Sequence, residues 1–463
     1  MTPSRFPSLL LAASCALAPS FAFGAPQPAA KNIIFFLGDG MGPTTITAAR
    51  IHRYKEEGLL HFERMPHSAR IKTYSNDAQT TDSAPSMGSY MTGIKINNDV
   101  ISMADAKPFG PKPDANGNAS VDACPAGNGR AAPTILELAK AAGKSVGSIT
   151  TTELTHATPA STFSHVCDRD MAYQIAAQVV PGGAGYNPAL KDGVDVLMGG
   201  GRNHFTPFEP ARNPKGRADG RDLMAELAAQ GYTVAANAEQ MRAAPVGKKF
   251  VGIYSDVSHL DYALARRPGQ PALAQMTAKA IDLLAPNPTG FFLMVEGGKI
   301  DHALHDTNVK NALAETVDFD DAIKTALDKM EALDPGLRNT LLVVTADHDH
   351  TIVMNGYARR GNPILDIVRN VDDGQPARDA DGKTYTALVF GNGPNRPERR
   401  ADVDSAQALA DNYHQETGVR LKGETHGGGD VKLFATGAGA GVFKGTMENT
   451  RVFHLMKAAF GLP

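Results

Sequence analysis

Three apolar runs in this chain each end in acid. Ile33-Ile34-Phe35-Phe36-Leu37 leads into Gly38-Asp39, residues 291–295 lead into Glu296, and residues 341–346 lead into Asp347-His348-Asp349-His350. Apolar runs this continuous suit strands covered on both faces, as in a parallel sheet packed between helices. Further strands are expected at 145–150, 194–198 and 250–254, alternating with helices at 134–142, 222–230, 272–284 and 311–332. The expected fold class is therefore α/β, with a central, mainly parallel sheet and helices on both faces. Ligands of such sheets gather at the carboxyl ends of the strands, where these acids stand.

The rest of the chain narrows the class of partner. A net charge of −3 over 463 residues, without blocks of Lys or Arg, argues against a nucleic-acid surface. No later segment is apolar for long enough to anchor in a bilayer. Residues 1–24 read as a cleaved secretory signal: Arg5 gives a positive start, an apolar stretch follows, and Ala22-Phe23-Gly24 offers small residues for cleavage. The mature chain would then be 25–463, either periplasmic or secreted. Lipidation at Cys15 is disfavoured because Ala12 stands where leucine is preferred. Cys124 and Cys167 remain, and an oxidising compartment permits a disulfide between them; two buried thiols are the alternative. Two stretches interrupt the strand–helix rhythm, a Gly/Pro/Asn/Asp-rich excursion at 104–130 and a charged insertion at about 359–422. The latter is too long for a structureless connection, and a strand is expected within it at 384–390.

Taken singly, the polar residues at the strand ends are unremarkable. Gly38-Asp39-Gly40 is a common turn, and Ser83 after Asp82 is an ordinary helix start. Their setting changes the reading. Ser83 opens an expected helix, so an adduct on it would meet free helix N–H groups. Asp301 and His305 are four apart and share one helix face directly after the strand ending in Glu296. His426 lies in Glu424-Thr425-His426-Gly427-Gly428-Gly429, where small neighbours allow close packing.

Charge decides what such a gathering needs. Two like charges 4 Å apart repel by about 4 kcal/mol at an effective dielectric near 20. Asp39, Glu296, Asp301 and Asp347 would accumulate that repulsion, and a phosphate ester would add to it. Divalent cations offset it: mixed histidine and carboxylate donors suit zinc, and oxygen-only donors suit magnesium. A serine hydroxyl beside such cations can act as a nucleophile, which points to phosphoryl transfer.

These blocks closely resemble the alkaline phosphatase family over essentially the whole mature chain. The residues that carry the likeness are Asn32 through Gly42, Thr81-Asp82-Ser83-Ala84, His156-Ala157-Thr158-Pro159-Ala160, Val295-Glu296-Gly297-Gly298, Thr345-Ala346-Asp347-His348 and Glu424-Thr425-His426. The resemblance implies two zinc ions and one magnesium ion per subunit, and a phosphoserine intermediate on Ser83. It places Asp301, His305 and His426 on the first zinc, and Asp39, Asp347 and His348 on the second. Asp39, Glu296 and Thr158 fall to magnesium. Arg169 matches a phosphate-gripping arginine. His156, His302 and His350 are read as neighbours that support the ligands.

The resemblance also implies that the 359–422 insertion is a crown-like element joining two subunits of a homodimer. The implied substrates are small phosphate monoesters. Ser83-Ala84-Pro85-Ser86-Met87 approaches a sulfatase signature but has Met87 where that signature needs arginine. Phosphodiesterase, phosphonate hydrolase or sulfatase activity on the same fold is the enzymatic alternative, and a non-catalytic zinc or phosphate binder the other.

Overall fold

The computed structural model describes residues 30–463; the signal-peptide reading of residues 1–24 lies outside them. Ten strands form one sheet: β1 (Asn32–Gly38), β2 (His67–Lys72), β3 (Ser145–Glu153), β4 (Val196–Gly200), β5 (Thr233–Ala235), β6 (Phe250–Ile253), β7 (Phe291–Gly297), β8 (Thr340–Thr345), β9 (Val431–Gly437) and β10 (Gly445–Glu448). Their spatial order is β10-β2-β9-β8-β1-β7-β3-β4-β6-β5. From β8 to β5 every pairing is parallel. Only β9 runs antiparallel to its two neighbours. The α/β architecture expected from the apolar runs is thus present.

β1 shows why those runs carry no polar alternation. Successive side chains of a strand point to opposite faces. Phe35 packs its ring 5.5 Å from Tyr90 of helix Ser83–Thr92, and Phe36 packs 5.9 Å from Phe319 of helix Val309–Leu333. One helix covers each face, so both sets of positions must be apolar. Burial of this kind stabilises by roughly 25 cal/mol per Å² of apolar surface.

Register brings the acids to one level. Leu37 pairs with both Glu296 and Thr345, and Thr150 also pairs with Glu296. Neighbouring strands lie about 4.8 Å apart, so Asp39, Glu296 and the residues after Thr345 emerge side by side.

Two expected elements differ in extent. The strand expected at 384–390 begins at Leu388 and continues to Gly393. Thr384 and Thr386 are instead committed to bridges with Arg378 and Ile367, which pair them with a different part of the insertion. The strand expected at 194–198 starts two residues later and runs through buried Gly199 and Gly200, which carry no apolar signal. Within the excursion, Met103–Ala104 pairs with Arg130–Ala131.

Cys124 and Cys167 form a disulfide, which ties that excursion to the segment carrying Arg169. The two cysteines are 43 residues apart in sequence. Replacing both by serine should lower the unfolding free energy by about 2–4 kcal/mol in guanidinium titrations; an unchanged midpoint would show that the cross-link contributes nothing.

Candidate metal centre

The centre is built from the carboxyl ends of β1, β7, β8 and β3. Asp39 follows β1 and is fully buried, and its N–H donates to Gly297 O at 3.3 Å. Gly40 turns the chain there with φ +65°, and a Cβ on it would stand 2.4 Å from His350 Nε2. Only glycine allows that approach. The Gly40 N–H donates to Asp347 Oδ1 at 3.0 Å, joining the ends of β1 and β8.

Three groups of donors converge. Asp301, His305, His350 and His426 form one, Asp39, Asp301 and His348 a second, and Asp39, His156 and Glu296 a third. Within each group one ligand atom per residue lies within 4.8 Å of the others. Asp347 belongs beside the second group, with Oδ2 3.4 Å from His348 Nε2. Thr158, in helix Ala157–Phe163, faces Glu296 at the third. Asp301 and His305 share helix Lys299–His305, directly after β7.

The imidazoles are oriented by their outer nitrogens. His305 Nδ1 donates to Glu424 O at 2.8 Å, and His426 Nδ1 donates to Thr81 O at 2.8 Å. A carbonyl only accepts, so Nδ1 carries a proton in both rings and Nε2 is the atom turned inward. Those two Nε2 atoms lie 3.2 and 3.5 Å from Asp301 Oδ1. His348 Nε2 likewise points inward, 3.2 Å from Asp39 Oδ1, while its Nδ1 faces Asp349 O at 3.3 Å. His350 differs: it is held between Asp301 Oδ1 at 2.9 Å and Glu424 Oε2 at 2.7 Å. Two acceptors make it an imidazolium that steadies Asp301.

Electrostatics tests whether these residues fit cations. Burial, then repulsion from Asp347, Asp301 and Glu296, hold the Asp39 carboxyl well above the usual range. Burial also raises Asp347, and it pushes Glu296 up to about 7 despite bonds from Thr150 and Thr152. Burial acts on Asp301 in the same direction, but the charge and hydrogen bonds of His305, with bonds from His350 and His426, outweigh it and keep Asp301 ionised. Asp39 Oδ2, Asp347 Oδ2, Glu296 Oε1 and Thr158 Oγ1 are buried and make no hydrogen bond. Acceptors buried in that state are costly unless something positive faces them. Oxygen and imidazole donors in these proportions fit divalent cations.

Ser83 is the first residue of its helix, capped by Asp82. Its Oγ lies 3.3 Å from His348 Nε2 and 3.5 Å from Asp39 Oδ1, and the residue is 2% exposed. Arg169 pairs through Nη1 with Asp82 and places Nη2 3.0 Å from His156 Nε2. Its backbone N–H donates to Asp99 O at 2.7 Å. The guanidinium is thus held against the residue that precedes the serine.

Sequence reasoning gave no role to several residues here. Asp82 fixes Arg169, Thr150 and Thr152 bond Glu296 Oε2, and Glu424 touches His305 and His350. Glu424 adjoins His426, a usable signal; the threonines close a strand whose β-branched residues look purely structural. His259 was also missed. Its ring centroid lies 4.2 Å from His302 and 5.4 Å from His156.

Comparison with known proteins adds the ancestry of this arrangement. The alkaline phosphatase family model matches residues 30–462. The chain belongs to the alkaline phosphatase family. The tissue-nonspecific isozyme of Gallus gallus is 35% identical over 479 residues, covering 94% of this chain and 85% of that protein. An alkaline phosphatase of Gadus morhua is 34% identical, covering 93% and 91%. Among solved structures, Thermus thermophilus alkaline phosphatase superposes with TM-score 0.67 at 24% identity, covering 97% of this chain and 96% of its own. The alkaline phosphatase of the Antarctic bacterium TAB5 gives 0.66 at 24%, covering 94% and 99%. Those two share the fold with this chain.

Glu153 ends β3 at the rim of the centre, and burial pushes its carboxyl up to about 7. His204 Nδ1 stands 3.9 Å away, but burial and then Arg217 lower that imidazole to about 4, so it brings no charge at neutral pH. The folded pKa of Glu153 exceeds its unfolded value near 4.3, so its stabilising contribution is full below that value and is lost as pH rises through 7. Glu153→Gln should therefore exceed the parent in stability by about 1–3 kcal/mol at pH 8, with the gap closing below pH 5. Urea unfolding at both pH values checks this; a gap of the same size at both would contradict it.

Proposed function

We propose that this chain hydrolyses phosphate monoesters through a phosphoserine on Ser83, with zinc at two positions and magnesium at a third. The observation that carries the reading is Ser83 Oγ set against Asp39 and His348, with Arg169 held alongside by Asp82. Asp301, His305 and His426 would hold the first zinc; Asp39, Asp347 and His348 the second; Asp39, Glu296 and Thr158 the magnesium. His156, His302 and His350 act as neighbours of those ligands. Bound there, the cations supply positive charge that lowers the serine pKa and stabilises the oxygens gained and lost at phosphorus.

The chain's own groups do the rest. Ser83 Oγ bonds to phosphorus as the bond from phosphorus to the ester oxygen breaks, and the hydroxyl proton, within reach of Asp39 Oδ1, ends on the departing oxygen, which leaves as the alcohol. Arg169 donates to the non-bridging oxygens, where fixed donors act on developing charge. The positive dipole end of the helix that Ser83 opens favours the same oxygens. Water then cleaves the Ser83–phosphorus bond, restoring the hydroxyl and releasing inorganic phosphate.

The reading extends to the whole protein. Residues 1–24 serve as an export signal, and the Cys124–Cys167 bond suits an oxidising periplasmic or extracellular setting. Among the described residues no helix is long and apolar enough to cross a membrane. Two copies join through the crown-like 359–422 segment, whose exposed Val371, Val419 and Leu421 support a covering partner.

Ser83→Ala should lower turnover of an aryl phosphate at least about a thousandfold while zinc content stays at the parent level. Near-parental turnover in that variant would remove the covalent route. His426→Ala should lose one zinc equivalent by metal analysis and slow phosphoserine breakdown in burst kinetics. Parental zinc content and burst shape would remove the ligand assignment.

A further inference from the structure

The excursion between residues 104 and 130 contains a second, unrelated set of oxygen donors. Asp114-Ala115-Asn116-Gly117-Asn118-Ala119-Ser120-Val121-Asp122 carries an oxygen-bearing side chain at every second position. The loop is folded around Asp114. Its Oδ1 accepts the N–H groups of Asn116 at 2.8 Å and Asn118 at 2.9 Å, and its own N–H donates to Asn118 O at 3.3 Å. One carboxylate oxygen is consumed in shaping the turn. The other, Asp114 Oδ2, is buried and bonded to nothing.

A second atom shares that condition. Asn118 is 9% exposed, and its Nδ2 donates to Pro214 O at 2.9 Å, while its Oδ1 is buried without a partner. Asp114 and Asn118 both lie near the Tyr173 hydroxyl, which is itself spent on Gly216 O at 2.6 Å. Arg217, 5.1 Å from the Tyr173 ring, directs its guanidinium to Asp219, Tyr173 O and His204 O. That cation is committed elsewhere. A buried acceptor left unpaired costs more than an ordinary hydrogen bond contributes, so each of these two oxygens calls for a donor or a cation.

We propose that residues 114–122 bind a calcium ion, with Asp114 Oδ2 and Asn118 Oδ1 as the inner ligands and the exposed Asn116 side chain available on the outer side. Oxygen-only donors of mixed carboxylate and amide type, on an irregular loop, suit calcium over zinc, which favours nitrogen and sulfur. Magnesium demands stricter octahedral geometry than such a loop imposes. Asp122 is an anchor and not a ligand: its Oδ2 accepts the Lys112 N–H at 3.0 Å. A single ligating carboxylate places the affinity in the weak extracellular range, about 0.1–1 mM.

The ion would stiffen the segment that ends in Cys124 and covers the Arg169 loop, where the Gly110 N–H donates to Asp168 Oδ2 at 3.2 Å. This inference does not depend on the phosphatase reading. The zinc- and magnesium-loaded enzyme can be titrated with Tb³⁺, using tyrosine excitation because the chain has no tryptophan. Calcium should displace the Tyr173-sensitised emission. Asp114→Asn keeps an oxygen for the two N–H bonds but loses the charge, and should weaken that competition at least tenfold. Asn118→Ala should weaken it as well, with basal turnover unchanged in both variants. Calcium should raise the thermal midpoint of the parent and not of Asp114→Asn. Equal calcium affinity in parent and both variants, or no response of the parent up to about 10 mM calcium, would overturn the proposal.

Discussion

Mutual repulsion among buried carboxylates governs this protein. The parallel register of β1, β7 and β8 delivers Asp39, Glu296 and Asp347 to one level, and the helix after β7 adds Asp301. Apolar cover on both sheet faces removes the water that would otherwise screen them. The same packing that stabilises the sheet therefore creates a demand for positive charge at the carboxyl ends of its central strands. Burial raises three of these acids, and their outer oxygens remain without donors. Fold and metal requirement are two consequences of one arrangement.

The surrounding polar groups limit which cation geometry can answer that demand. His305, His426 and His348 face carbonyls through Nδ1, so their Nε2 atoms converge on the acids. Glu424 serves twice, through its carbonyl on His305 and its carboxylate on His350. Asp82 serves twice as well, capping the Ser83 helix and holding Arg169. Such shared supports couple Ser83, Arg169 and the imidazoles, so a change in one should disturb the others non-additively.

Much of this was legible in the sequence because the chemistry sits where apolar runs stop. Asp39, Glu296 and Asp347 announce themselves by position, and Asp301 with His305 by helical spacing. The strand order was not legible, since β1 lies between β8 and β7, far away in the chain. The supports were mostly invisible for a related reason. Asp82, Thr150 and Thr152 look like ordinary cap and strand residues until the fold brings Arg169 and Glu296 against them. Arg169 itself lacks any local signal, and only family likeness singled it out. The strand around Leu388 was misplaced because extended chain is readable from β-branched residues, whereas the choice of partner is not.

We propose that the acids at the carboxyl ends of the central strands hold cations beside Ser83. Anomalous diffraction from crystals of the metal-loaded enzyme, collected on both sides of the zinc absorption edge, tests it most directly. The account requires one zinc peak among Asp301, His305 and His426 and another among Asp39, Asp347 and His348, the second next to Ser83 Oγ. Zinc bound only away from these side chains, with the carboxylates paired to lysine or arginine instead, would contradict it.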